Sequence, residues 1–178
     1  MARLANELPR INRESGLVNV VIDTPRGSRN KYKFDEESGQ WRLSKVLPQG
    51  ASFPFDFGFV PSTAADDGDP IDVLLIADQP AFTGCVAPAG LIGVLQAEQT
   101  EKDETIRNDR LVAVVETPYN PPRYQRLDDV DDPMLDEIEY FFTAYNQAEE
   151  REFKPLNHCG PDRVNELVKQ AIERGKKK

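Results

Sequence analysis

From Leu17 to Glu116 the apolar residues come in short runs separated by proline, glycine and acidic residues, the punctuation of strands and turns. Leu17–Asp23 is rich in β-branched residues and stops before Thr24-Pro25-Arg26-Gly27, which is turn chemistry. Asn30–Asp35 alternates, so a strand there carries Lys31, Lys33 and Asp35 on one face and Tyr32 and Phe34 on the other. Glu37-Ser38-Gly39 predicts a hairpin turn into Gln40–Val46. Phe53, Phe55, Phe57 and Phe59 share one parity and line one face of an extended segment. Ile71–Ile76, Leu91–Ala97 and Leu111–Glu116 read as buried strands. Turn signals at such close spacing predict a closed or nearly closed barrel.

The period changes late in the chain. Asp132 is placed to cap a helix with Pro133 at its first position. Leu135, Ile138, Phe142 and Tyr145 then recur at helical spacing. A second helix is expected from Pro161, with Val164, Leu167, Val168, Ala171 and Ile172 as its apolar face and Gly175 as its stop. Leu156–Gly160 reads as a turn before it. Strands followed by helices predict an α+β domain on a β-barrel, with residues 1–178 as one unit.

Charge narrows the functions open to such a barrel. With 22 Lys+Arg against 31 Asp+Glu the net charge is −9, which disfavours nucleic-acid backbones and anionic membranes unless cations gather on one face. No apolar run approaches a bilayer span, and the first residues lack the apolar stretch of a signal peptide, so the cytoplasm is expected. Cys85 and Cys159 suggest neither a disulfide framework nor a zinc motif.

The densest chemistry is Asp66-Asp67-Gly68-Asp69-Pro70-Ile71-Asp72-Val73, four carboxylates ending where a buried strand begins. Like charges this close raise one another's pKa or recruit a cation. Gly68 and Pro70 tighten the turn so that Asp67 and Asp69 can converge, while Asp72 points away from Ile71 and Val73. Hard oxygen ligands without nearby His or Cys favour Mg²⁺, Mn²⁺ or Ca²⁺ over zinc. A solvated acidic turn is the alternative, since Asp-Gly is ordinary turn vocabulary. A second feature is cationic: Lys31 and Lys33, with Arg26 and Arg29 before them and Arg42 and Lys45 on the next strand. Acids that hold metal beside cations that neutralise phosphate oxygens would divide the work of phosphoryl chemistry.

Asp67-Gly68-Asp69-Pro70-Ile71-Asp72-Val73 resembles the signature of the soluble family I inorganic pyrophosphatases. Ser28–Asp35, Phe53–Pro61, Leu91–Leu95 and Ile138–Phe142 followed by Tyr145 fit the same family in order, from about Val18 to Lys154. The resemblance implies a five-stranded OB-like barrel flanked by C-terminal helices, Mg²⁺ (or Mn²⁺) as cofactor, and hydrolysis of pyrophosphate to two phosphates. It also implies a cytoplasmic homo-oligomer, commonly a hexamer. Carried over by position, Asp67 and Asp72 ligate metal, and Asp69 orients or deprotonates the nucleophilic water. Lys31, Lys45, Arg110 and Tyr145 hold the phosphates.

Several positions depart from the family. Asp23 and Lys33 stand where it usually has Glu, Lys45 where it has Arg, Phe53 and Phe57 where it has Tyr, and Asn146 where it has Lys. Between Leu95 and Leu111 the family places two metal-binding aspartates; this chain has a longer charged segment, Gln96–Arg110, with Gln99 and Asn108 aligned to them and Arg110 in place of a Lys. Glu98, Glu101, Asp103 and Asp109 are close enough to substitute if the insertion shifts the register, and a one-residue slip makes Asp109 a candidate ligand. Two readings stay open beside a divergent pyrophosphatase. One is a relative that binds phosphate compounds or cleaves another phosphoanhydride or ester. The other is an OB-type single-strand binding module using the phenylalanine stripe. His158-Cys159 could suggest a thiol or metal site, but a turn explains it, and no Walker loop, G-x-G-x-x-G or G-x-S-x-G occurs.

Overall fold

In this computed structural model, residues 5, 8–65, 68–119 and 121–175 are described. The β-branched run Val18–Thr24 forms β1, followed by β2 (Asn30–Asp35), β3 (Gln40–Val46), β4 (Asp56–Phe59) and β5 (Asp72–Ile76). Then come β6 (Val86–Glu101), β7 (Glu104–Arg107), β8 (Arg110–Val115), α1 (Asp132–Gln147), β9 (Glu152–Cys159) and α2 (Pro161–Gly175). Five of these strands close on themselves: β1 pairs β4, β4 pairs β5, β5 pairs β8 in parallel, β8 pairs β6, and β6 returns to β1. That ring is the OB-like barrel, and the two helices pack on it.

Strand parity shows how it is held. Val73 and Leu75 of β5 and Leu111 and Ala113 of β8 join a cluster completed by Val164 and Ala171 of α2. Leu74, Val112 and Val114 point the other way, into a cluster with Leu135, Ile138 and Phe142 of α1. Each strand is therefore covered on both faces, which is why its sequence is an unbroken apolar run rather than an alternating one. Gly58 of β4 is required by close approach: a Cβ there would lie 2.2 Å from the carbonyl oxygen of Val21.

Three expectations change. Gln96–Arg110 is a regular hairpin, in which β6 runs on to Glu101, turns at Lys102 and Asp103 (φ 48° and 67°), and pairs β7 from Glu101↔Glu104 to Glu98↔Arg107. Leu156–Gly160 is mostly strand: β9 pairs the extended part of β6, with Leu95 opposite His158, because that long strand offers an edge needing partners. Asp131 rather than Asp132 is the N-cap of α1, its carbonyl accepting from the Met134 and Leu135 amides. The β2–β3 hairpin is a separate two-stranded sheet beside the barrel. No helix among the described residues is long and apolar enough to cross a membrane.

Candidate active site

A cleft of about 690 Å³ opens where the β2–β3 hairpin, the start of β5, the β6–β7 hairpin and α2 face one another. Although the chain is acidic, its lining is not. Among the described residues, Lys31, Lys33, Lys45, Arg107, Arg110, Arg151, Arg163 and Arg174 line it against Asp23, Glu36, Asp69, Asp72 and Asp109. The cations have gathered on one surface, as anion binding by a negative protein requires.

Lys31 and Lys45 are directly opposite each other across β2 and β3. Like charges in that relation destabilise a sheet. Here the aromatic ring of Tyr145 softens the repulsion, with the two ammonium groups 5.6 and 5.7 Å from its centroid. Lys31 also stands 5.4 Å from the Phe57 ring, and Lys45 bonds both carboxylate oxygens of Glu149. Burial pushes the Tyr145 phenol above its usual value of 10.0 against the pull of Lys45, so it remains a hydroxyl donor at neutral pH.

Asp72 and Arg110 come from parallel neighbours. Each sits one residue before the Val73↔Leu111 pair, so they emerge side by side, and Arg110 Nη1 lies 2.8 Å from Asp72 Oδ2. The same guanidinium nitrogen donates to Asn108 Oδ1, whose amide nitrogen donates to Gln99 Oε1 at 2.6 Å. A polar row thus runs from Asp72 through Arg110 and Asn108 to Gln99. Asp69 stands in the turn before β5, with Lys33 Nζ 2.9 Å from its Oδ2; both side chains are largely exposed. Asp67 lies outside the described residues.

Asp109 does not join the acids at the β5 end. Its Oδ1 accepts from the Ala97 amide at 3.3 Å and from Arg107 Nε at 2.8 Å, while Arg163 Nη2 is 4.0 Å from Oδ2. That environment uses the carboxylate to pin the hairpin, apart from Asp69 and Asp72. Arg26, Arg29 and Arg42 also stay out: they bond the Ala77 and Asp78 carbonyls, the Leu47 carbonyl and Asp35. Phe53, Phe55, Phe57 and Phe59 are all at most 8% exposed, so they offer no platform for stacked bases. His158 pairs with Glu139 at 2.7 Å on the outer face of α1, and Asn146 is buried, donating to the Phe142 carbonyl.

Asp23, which the sequence marks only as one methylene short, proves central. Burial pushes its carboxyl up to about 7, with Lys31 pulling it down and Asp72 raising it further, and its Oδ1 is buried without a hydrogen-bond partner. Arg107, Arg151 and Arg163 are not evident from sequence, because three separate elements deliver them; only their local charge runs are visible there.

The class that fold and cleft define is an OB-like barrel with an anion-binding mouth edged by acids. The family model for inorganic pyrophosphatase matches residues 20–176. The inorganic pyrophosphatase of Synechocystis sp. is 38% identical over 163 residues, 90% of this chain and 92% of that one. That of Nostoc sp. is 40% identical over 161 residues, covering 89% and 91%. The crystal structure of the Thermus thermophilus inorganic pyrophosphatase superposes with a TM-score of 0.87 at 30% identity, covering 98% of this chain and 99% of that one. The chain belongs to the inorganic pyrophosphatase family.

Proposed function

We propose that this cleft hydrolyses inorganic pyrophosphate to two phosphates, with Asp69 handling the proton of the attacking water. The observation that carries the reading is the facing arrangement. Two lysines are held opposite each other over Tyr145, and Arg110 completes the cradle beside Asp72 and Asp69.

The donors fit a hard divalent cation. Asp23 is a carboxyl whose ionised form burial opposes and whose Oδ1 lacks a partner, and Asp69 and Asp72 line the same cleft without a His or Cys among the lining residues. Among the described residues no three such side chains already stand as a metal-holding group; Asp67 is the further ligand the reading assigns. The proposed ion is Mg²⁺, with Mn²⁺ as the alternative, held by Asp67 and Asp72; bound there it would make water a better nucleophile and draw charge from the phosphoryl oxygens.

The chain's own groups do the rest. Lys31, Lys45 and Arg110 bind phosphate oxygens and offset the charge that develops as the bridging P–O bond breaks. Tyr145 donates its hydroxyl to the same anion. Asp69 takes the proton while the water oxygen forms its bond to phosphorus. Its contact with Lys33 is an exposed ion pair, weak enough to open when substrate arrives. The reading carries with it a cytoplasmic homo-oligomer, a hexamer by family resemblance, in keeping with exposed Phe82 and Leu43; light scattering measures the assembly.

Phosphate release from pyrophosphate with Mg²⁺ or Mn²⁺, beside nucleotides and phosphomonoesters, is the test. Pyrophosphate is expected to be the best of these, with activity abolished by a chelator. Turnover of another compound but never of pyrophosphate would overturn the assignment.

A further inference from the structure

Of the three cations assigned to the phosphates, only Arg110 can meet different partners with different nitrogens. Its guanidinium carbon stands 5.8 Å from the centroid of the Phe57 ring and 5.5 Å from that of Phe142, both buried rings. Its Nε is buried without a hydrogen-bond partner, so donation toward the cleft falls to Nη1 and Nη2. Nη1 is engaged twice: it lies 2.8 Å from Asp72 Oδ2 and donates to Asn108 Oδ1. Nη2 makes no hydrogen bond among the described residues and, unlike Nε, is not buried.

An arginine beside a carboxylate tends to pair otherwise, fork to fork through two parallel N–H···O bonds. Turning the guanidinium so that Nη2 also met Asp72 would pull Nη1 away from Asn108. Asn108 is itself fixed: its backbone amide donates to the Ala97 carbonyl at 2.9 Å, and its side-chain amide donates to Gln99 Oε1 at 2.6 Å. Arginine can only donate, so Asn108 must show it the carbonyl oxygen, and the NH₂ end must then find an acceptor elsewhere. Gln99, two residues beyond Ala97 on β6 and so on the same face, supplies it. An amide at 108 holds the guanidinium without cancelling its charge, which a second carboxylate beside Asp72 would do.

The geometry points to Asn108, backed by Gln99, as a positioning residue: it holds Arg110 by Nη1, so that Asp72 does not take the whole guanidinium and Nη2 stays open to a phosphate oxygen. The role rests on the hydrolytic reading above, which makes Arg110 a phosphate ligand. Neither amide touches substrate; both act through Arg110.

The experiment is a double-mutant cycle in the full chain with Mg²⁺: the parent, Asn108→Leu, Arg110→Lys and the double variant. Each is read by kcat and KM for pyrophosphate and by calorimetric binding of inorganic phosphate. Asn108→Leu keeps the volume and removes the acceptor. It is expected to raise KM and weaken phosphate binding by about tenfold, the value of one charge-assisted hydrogen bond, with kcat falling less. Lysine has a single nitrogen, with nothing for Asn108 to hold apart, so in the Arg110→Lys background the same change is expected to cost less than twofold. Gln99→Met removes only the acceptor for the Asn108 amide. It is expected to act in the same direction by roughly threefold, again only with Arg110 present, and keeps the test available if Asn108→Leu fails to fold. Equal losses in both backgrounds, or unchanged KM and phosphate binding, would overturn the positioning role while leaving the hydrolysis standing. Coupled losses in phosphate binding by a protein that never splits pyrophosphate would overturn the hydrolytic reading and leave the hold on Arg110 standing. A parent protein that binds no phosphate would overturn both.

Discussion

The two ends of the cleft are built differently. At one end Asp69 sits in the short turn leading into β5, Asp72 is the first residue of that strand, which is buried on both faces, and Arg110 begins the equally buried β8 beside it. At the other end Gln99 lies on the extended part of β6 between β7 and β9, and Asn108 and Asp109 follow β7, which is exposed along its length. The first end is fixed by core packing, the second by cross-strand pairing and side-chain ion pairs and hydrogen bonds. The contrast teaches that a carboxylate's position in the sequence does not give its role. Asp69 and Asp109 both line the cleft, yet one faces an exposed lysine and the other is enclosed by two arginines.

Exchanging acid for amide at the rigid end should produce the largest effect. Asp69→Asn is expected to lower kcat roughly a hundredfold to ten-thousandfold, the usual contribution of a positioned acid or base, with an unchanged melting temperature. Asp109→Ala should do the reverse. It strips the acceptor from the Ala97 amide and Arg107, so unfolding by urea should show a loss of roughly 1–3 kcal/mol, with a much smaller change in kcat. If the two variants lose activity alike, the ends are not functionally distinct.

Tyr145→Phe probes the cradle shared by both lysines. The ring beneath Lys31 and Lys45 is retained and only the hydroxyl goes. KM for pyrophosphate is expected to rise by about tenfold, near 1.4 kcal/mol, with kcat less affected. A rise no larger than twofold would place the hydroxyl outside the substrate's reach.

What was legible in the sequence follows the same division. The nearness of the β2 and β3 cations, both helices and the closed barrel rest on local parity and turn chemistry, and each was readable a few residues at a time. The ribbon depended on a register that a charged, periodic segment leaves open, so the place of Asp109 relative to the other acids could not be read. β9 and Arg151 were missed because the strand is mostly exposed and polar, forming only because long β6 needs a partner. Asp23 could be numbered but not valued: its significance is burial, which composition does not reveal.

The last expected effect concerns stability and tests whether that burial is the cost of a cation site. With a folded value of about 7 against an ordinary 3.8, the native state holds a proton on Asp23 that the unfolded chain has released. Stability contributed by this group is therefore full below pH 4 and declines as pH rises to 7, beyond which the penalty is constant. Asp23→Asn removes the penalty, so the metal-free variant should melt several degrees above the parent protein at pH 8 and at the same temperature at pH 4. Divalent cation should reverse the order at pH 8, because only the parent carboxylate gains from it. A variant equally stable at both pH values would mean that Asp23 is already solvated and has no claim on a cation. One that gained at pH 8 and kept its advantage with Mg²⁺ present would assign the buried charge to something other than metal.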